Sequence, residues 1–239
     1  LGFPYSAVFT TPPPAAAKPA FAAAAQIFAT SPGLATRVKK LCPPGRDVSL
    51  WRPALTAAVW QNFTRNTGLN TAPRLLFIDE GIAPAWWPEL IKQTRNSLAW
   101  IIVERRGMSY DGAFARLAPP ADEQGWAAEL AALSPQICLR PAGAETDADH
   151  YLTLIAAAAG CAIITDDRLD TPPGLNIKRL PSRIAAWQKA LSEALSNLPE
   201  TLAAGAQNQA LALALPSLES APPPWSIPGP TAPQLRAAE

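Results

Sequence analysis

The chain has 239 residues, 49% of them hydrophobic and 16% charged, with a formal net charge of +1, proportions that suit a soluble globular protein of one large domain or one and a half. Lys+Arg at 20 against Asp+Glu at 19 leaves no basic footprint for duplex nucleic acid, so nucleic acid is not an expected partner. Three widely spaced cysteines with a single histidine lack the ligand spacing of a zinc site, and no metal is expected.

The first residues, "LGFPYSAVFTTPPPAAAKP", have neither a basic segment nor a continuous apolar core and do not read as a signal peptide. Leu1 is not a methionine, which is the form expected of a fragment or a processed chain. Cys42, Cys138 and Cys161 sit in apolar contexts and read as buried, inert thiols, in keeping with a reducing cytoplasm. A membrane span needs roughly 20 consecutive apolar residues, and none is present. Peripheral attachment to a membrane stays open.

In chain order, "AQIFATS" (Ala25 to Ser31) reads as a short buried strand. Pro32 then opens the helix "GLATRVKKL", with Ser31 as its N-cap. "DVSLWRP" (Asp47 to Pro53) is a second strand closed by its proline, and "RLLFIDE" (Arg74 to Glu80) a third, followed by a helix over Ala85 to Thr94. "LAWIIVERRG" (Leu98 to Gly107) is a fourth strand, "EQGWAAELAALS" (Glu123 to Ser134) a helix and "QICLRPAG" (Gln136 to Gly143) a fifth strand. "DHYLTLIAAAAG" is a helix that Gly160 ends, leading directly into the strand "CAIITDD"; after "NIKRLP", one or two helices run from Ser182 to about Leu215. Proline tracts at Pro12 to Pro14, Pro43-Pro44 and "APPPWSIPGPTAP" (Ala221 to Pro233) read as linkers or extended coverings.

Short, almost wholly apolar strands alternating with helices are the sequence form of a parallel sheet covered on both faces. The expected fold class is α/β, a Rossmann-like parallel sheet with helices on both faces. No GxGxxG turn and no P-loop occurs, which disfavours NAD, FAD and ATP sites of those kinds. The unbroken run Ala156 to Ala159 lets its helix approach the sheet closely, while the helix N-terminus points toward the carboxyl ends of the strands. In open α/β sheets ligands sit at that edge, and a helix N-terminus there favours an anionic group such as phosphate.

The order of these segments resembles the C-terminal half of GT-B glycosyltransferases, the two-Rossmann-domain enzymes that move a sugar from a nucleotide donor. "QIFATSPGLATRVKKL" is similar to the last strand and helix of their N-terminal domain, with its "TSxxLA" run, and "DVSLWRPALTAAVW" to the interdomain linker. "RLLFIDEGIAPAWWPELI" resembles the first strand and helix of the C-terminal domain, and "DADHYLTLIAAAAGCAIITDD" the "EAxAxGxPVIxxD" helix and strand. The resemblance implies a division into residues 1–46, the end of an N-terminal Rossmann-like domain or a lead-in; 47–72, a linker; 73–215, a nucleotide-sugar-binding domain; and 216–239, a proline-rich tail.

The sequence also departs from that pattern. In the family-4 enzymes and their relatives this helix carries two acids eight apart; Asp147 stands at the first position and Ile155 replaces the second. An isoleucine cannot accept hydrogen bonds from ribose hydroxyls. The Arg and Lys that follow the first strand of the C-terminal domain are missing from "DEGIAPAWW". Either the donor is held differently or the domain no longer turns over.

A diphosphate leaving group needs cations or N–H donors where its charge develops. Arg105 and Arg106 follow a buried strand and Arg140 follows the fifth, so each has a phosphate-contact reading beside that of an ordinary ion pair or solvated position. His150 opens the alanine-rich helix beside Asp149, where it either contacts donor phosphate or acceptor or serves as a cap or packing residue. Asp147 and Asp149 have the alternative of plain helix caps. In Asp79-Glu80-Gly81 an acid at the ligand edge competes with a simple turn. Trp86-Trp87 reads as helix-to-sheet packing or a sugar-stacking platform, Lys39-Lys40 as a solvated helix face, and Asp166-Asp167 as a strand cap with an acceptor role open.

Asp147 and His150 are therefore the candidate catalytic residues, and Arg105, Arg106, Arg140, Glu80 and Asp149 the candidate donor-binding ones. The resemblance implies a metal-independent glycosyltransferase, or its C-terminal portion, in surface polysaccharide or O-antigen-type assembly. Its partners would be a nucleotide-sugar, as substrate rather than cofactor, and a glycan or lipid-linked acceptor. A portion lacking most of the N-terminal domain would bind donor weakly and catalyse little. The alternatives are a catalytically degenerate GT-B-like domain kept as a binding or scaffolding module, and an unrelated Rossmann-like domain.

Overall fold

The structure, a computed structural model, describes residues 6–9, 21, 24–29, 32–51, 54–65, 72–79, 84–104, 115–118, 120–142, 150–169 and 171–217. Nine strands and seven helices lie among them, in two parallel sheets.

The smaller sheet has the order β1-β2-β3, from β1 (Ser6–Phe9), β2 (Gln26–Ala29) and β3 (Ser49–Leu50). Helix α1 (Pro32–Leu41) places Leu34 and Val38, one turn apart, against Ile27 and Ala29, while Lys39 and Lys40 face solvent in its last turn, where cations suit the helix dipole. The second strand is shorter than the expected Asp47 to Pro53. It is the edge strand and finds partners only in the last residues of β2, through Phe28↔Ser49 and Ala29↔Leu50, with one further bond from Trp51 N to Ala29 O at 2.9 Å. The Ser31 cap lies outside the described residues.

The larger sheet has six strands in the order β6-β5-β4-β7-β8-β9. They are β4 (Arg74–Asp79), β5 (Ala99–Glu104), β6 (Ala115–Leu117), β7 (Ile137–Arg140), β8 (Ala162–Asp166) and β9 (Ile177–Leu180). All neighbours run parallel. Counted from β4, this is the 3-2-1-4-5-6 order of the doubly wound fold.

Period-two alternation along each strand supplies two cores. On one face Leu76, Ile78, Ile101, Val103, Cys138 and Ile163 meet α4 (Glu123–Leu133), α5 (His150–Ala158) and α7 (Leu198–Ala214). On the other, Leu75, Phe77, Trp100, Ile102, Leu139 and Ile164 meet α3 (Trp87–Thr94) and α6 (Ile184–Ser196). The central strands are apolar along most of their length because helices cover both faces, which is the expected α/β sheet with helices on both faces.

Indole rings fill the second core. Trp87 lies against Phe77 and Trp187 with ring centroids 4.6 and 4.9 Å apart, and Trp86 stacks on Trp87 at 4.9 Å. Trp86-Trp87 is therefore packing, as one of its two readings held. Trp100 donates to Thr94 Oγ1 and Trp187 to Pro181 O, each at 3.1 Å, so most of these buried indoles keep a partner.

A short helix, α2 (Ala57–Trp60), precedes the larger sheet and is tied to it. Glu123, at the first turn of α4, accepts from Thr56 N and Thr56 Oγ1 at 2.8 Å each and from Trp60 Nε1. α4 itself begins where Asp122, in extended conformation, accepts from Gly125 N at 2.7 Å.

Candidate functional site

In a doubly wound sheet the crossovers leave in opposite directions from the two central strands, opening a crevice at their carboxyl ends. Here those strands are β4, ending at Asp79, and β7, ending at Arg140. Helix α5 follows β7 and begins at His150, so its amino-terminal end lies at that edge.

The packing of α5 accounts for its composition. Ile155 to Ala159 are fully buried, between the sheet and α7. The helix ends in a Schellman turn: Gly160 has φ +73, its N–H donates to Ala157 O at 2.7 Å, and Cys161 N donates to Ala156 O at 3.0 Å. Arg65 donates from Nε to Ala159 O at 2.7 Å, placing a cation on the negative end of the helix. On α7, Gly205 meets this turn so closely that a Cβ there would lie 2.2 Å from Gly160 O. Asn208, fully buried three residues later, donates to Cys161 O at 3.3 Å and Asn176 O at 2.9 Å and accepts from Asn176 N at 2.7 Å.

At the end of β8, Asp166 is 1% exposed. It accepts from Arg168 Nε and Nη2 at 2.8 and 2.9 Å and from Arg168 N at 3.1 Å. Burial pushes the Asp166 carboxyl up, but the Arg168 guanidinium and N–H outweigh it and hold the group below the usual carboxylate range. Arg168 Nη2 also donates to Ala142 O at 2.9 Å, two residues beyond β7. From β9, Arg179 donates to Leu169 O at 2.9 Å and to Thr171 Oγ1, bracing the same turn from its other side.

Of the sequence-based candidates, Arg140 is the last residue of β7 rather than the first beyond it, and it is buried at the carboxyl edge. His150 opens α5. Arg105, Arg106, Glu80, Asp147 and Asp149 lie outside the described residues. Asp166 takes the strand-cap form of its two readings, with Arg168 as the partner that the sequence reading did not single out. A basic residue two positions after a strand-ending acid was the available signal. Cys138 and Cys161 are buried free thiols; burial pushes Cys138 well up, and burial, partly offset by Arg65, pushes Cys161 up to about 11.

A second concavity of about 550 Å³ lies toward the amino ends of β8 and β9 and the α6–α7 corner. Lys178 and Glu193 pair across it at 2.6 Å, and it is remote from the carboxyl edge. Among the described residues no helix is long and apolar enough to cross a membrane.

No protein-family model and no curated protein matches the sequence. Solved structures do match the fold. Anabaena HepE, in a structure with UDP and glucose, superposes with a TM-score of 0.64 at 9% identity, over 87% of this chain and 66% of that one. Sucrose-phosphate synthase from Thermosynechococcus elongatus superposes with a TM-score of 0.68 at 13% identity, over 92% of this chain and 65% of that one. The chain thus spans slightly less than two thirds of the length of either structure. These likenesses establish the architecture: the chain has the Rossmann-like fold of the GT-B glycosyltransferases.

Proposed function

We propose that the chain is a glycosyltransferase, or the donor-binding portion of one, that transfers a sugar from a nucleotide-sugar to a glycan or lipid-linked acceptor in surface polysaccharide or O-antigen-type biosynthesis. The observation that carries this reading is the start of α5 at the carboxyl edge beside the β4/β7 switch point, in a sheet of doubly wound order. The presence of UDP and glucose in the HepE structure supports a nucleotide-sugar as the ligand class.

In this reading the leaving diphosphate lies over the first turn of α5, whose N–H groups carry part of the positive helix-dipole charge. Arg105, Arg106 and Arg140 supply cationic charge to the same edge, Glu80 and Asp149 complete the donor contacts, and Asp147 and His150 face the reacting sugar. Residues 73–215 form the donor domain, 47–72 the linker, 1–46 the end of the N-terminal domain or a lead-in, and 216–239 a tail. The reaction proceeds without a metal or cofactor, at the cytoplasmic side with peripheral access to membrane-borne acceptors.

Calorimetric titration of the chain with UDP, GDP, dTDP and CMP, beside an Arg105→Ala/Arg106→Ala variant, tests the proposal. Saturable binding of one nucleotide, weakened at least about tenfold in the variant, or roughly 1.4 kcal/mol, is the expected result. Binding that the variant leaves unchanged removes those arginines from the site, and no binding of any nucleotide refutes the donor reading.

One observation favours the second reading. Ile155, at the position of the second acid, is fully buried in the core of the larger sheet. An acid there would need a partner inside an apolar cluster, so this position is committed to packing. A domain that has exchanged donor contacts for core is suited to serve as a binding or scaffolding module.

A further inference from the structure

The parallel strands β7 and β8 with α5 between them form a βαβ unit, which brings the amino-terminal end of α5 and the carboxyl end of β8 to one edge. In nucleotide-binding folds built on such a unit, the diphosphate lies on the helix N-terminus and an acid further along the chain takes the ribose hydroxyls. Ile155 cannot supply that acceptor from within α5, being apolar and fully buried. The residue directly after β8 is an acid, Asp167.

Ile163 faces the α5 layer and Ile164 the α6 layer. The same alternation puts Asp166 on the α6 side and carries Asp167 back to the side of α5. The ladder holds that far, because Asp167 N still donates to Leu180 O of β9 at 2.8 Å. The two neighbouring acids therefore differ in role. Asp166 is 1% exposed and closed off by Arg168, whose Nη2 is shared with Ala142 O, whereas Asp167 is exposed. Its backbone is braced on both sides: Leu169 N donates to Asp166 O at 3.1 Å and closes the turn over Asp167, and Arg179 holds Leu169 O and Thr171 from β9. A carboxylate on so fixed a turn accepts a hydrogen bond with little further ordering.

We propose that Asp167 accepts the ribose 2′-hydroxyl of the bound nucleotide. The inference deepens the donor-binding reading and rests on it: α5 takes the diphosphate, and the end of the next strand takes the ribose. A hydroxyl bonded to an ionised carboxylate makes one of the stronger hydrogen bonds available to a neutral ligand group, so the contact should show in affinity.

Calorimetric titration of the full chain with UDP and GDP, and with their 2′-deoxy counterparts, tests the assignment in wild type, Asp167→Ala and Asp167→Asn. For the nucleotide that wild type binds, the 2′-deoxy form should bind about tenfold more weakly. In Asp167→Ala the ribonucleotide should fall to the level of the deoxy form and the preference disappear, with Asp167→Asn between the two. Urea denaturation of both variants should match wild type, since the side chain is exposed. Wild-type affinity and preference in Asp167→Ala overturn the proposal. So does an equal weakening of both nucleotide forms, which would report the loss of a charge or of local structure rather than of a hydroxyl contact. A wild type indifferent to the 2′-hydroxyl likewise overturns it and leaves the donor reading standing. Binding of neither nucleotide by wild type removes the donor reading, and this inference with it.

Discussion

Gly205 has no room for a side chain. A Cβ would meet Gly160 O at 2.2 Å and Ala162 N at 3.1 Å, both backbone atoms that cannot rotate away. Gly205→Ala should therefore destabilise by about 1–3 kcal/mol, the usual cost of forcing an extra methyl into a packed site, although alanine normally strengthens a helix interior. Urea denaturation measures it, and a stabilised variant would show that α7 does not pack on the α5 turn as described. Asn208→Ala removes three hydrogen bonds to the backbone of Cys161 and Asn176 and should cost about 2–3 kcal/mol. Little of this was legible in the sequence: a glycine in a helix reads as a weak point and an asparagine as a surface residue, because the atoms they meet belong to segments more than 30 positions away. Two of the three cysteines were legible, since apolar neighbours in or beside strands foretell burial; Cys42, just beyond α1, was expected to be buried and is only partly so, because it lies on the exit from the helix rather than in the sheet. In a thiol titration at pH 8, Cys138 and Cys161 should stay unreactive in the native chain and react in denaturant. Rapid native modification of both would contradict their burial.

Among the elements, the long apolar strands and the alanine helix were readable because their local pattern and their tertiary setting agree. β1 and β6 were missed, and "NIKRLP" was not assigned as the strand β9. The first two are four and three residues long, and β6, an edge strand, has β5 as its one strand partner and only Ala115 and Leu117 against the core. β9 alternates too weakly, with Lys178 and Arg179 exposed at the edge of the sheet. Long-range ties also went unseen, Glu123 above all. Its carboxylate holds Thr56 and Trp60, so α2 is fastened to the larger sheet's own helix layer. Glu123→Ala should cost about 2 kcal/mol, in the range for hydrogen bonds to a charged group, and free Trp60 to move. A red shift of tryptophan emission would report this, and an unchanged spectrum with unchanged stability would refute the tie.

The β8 turn carries a pH dependence whose sign is fixed. The folded-state carboxyl of Asp166 lies below its usual value, so its contribution is present above about pH 4 and is lost as pH falls through the lowered folded value. The stability gap between wild type and Asp166→Asn should therefore shrink on acidification from about pH 4 toward pH 2. A constant gap would mean that the Arg168 pairing does not favour the ionised form.

At the scale of the whole molecule, fold class was the most legible property. Alternation of buried strands and helices leaves few arrangements besides a doubly wound parallel sheet, and the described strand order is that arrangement. The place of α5 followed as well, because its start at the carboxyl edge, where the proposed site lies, is a consequence of handed crossovers rather than of individual residues. The chemistry at that edge was harder to read. The sequence departs from the donor motif at Ile155, and the structure gives that residue a packing role. At the edge, Arg168 pairs locally with Asp166 but also reaches Ala142 O, a contact between segments that no short motif records.

The central claim is that the carboxyl edge beside the β4/β7 switch point holds the nucleotide diphosphate. Amide chemical-shift mapping on the 239-residue chain, titrated with UDP and GDP, tests it most directly. The account predicts saturable shifts concentrated in the first turn of α5, His150 to Thr153, with accompanying shifts at Arg140 to Ala142 and at Arg168. Shifts confined to the groove around Asn176, Lys178 and Glu193, or the absence of saturable shifts with either nucleotide, would contradict it.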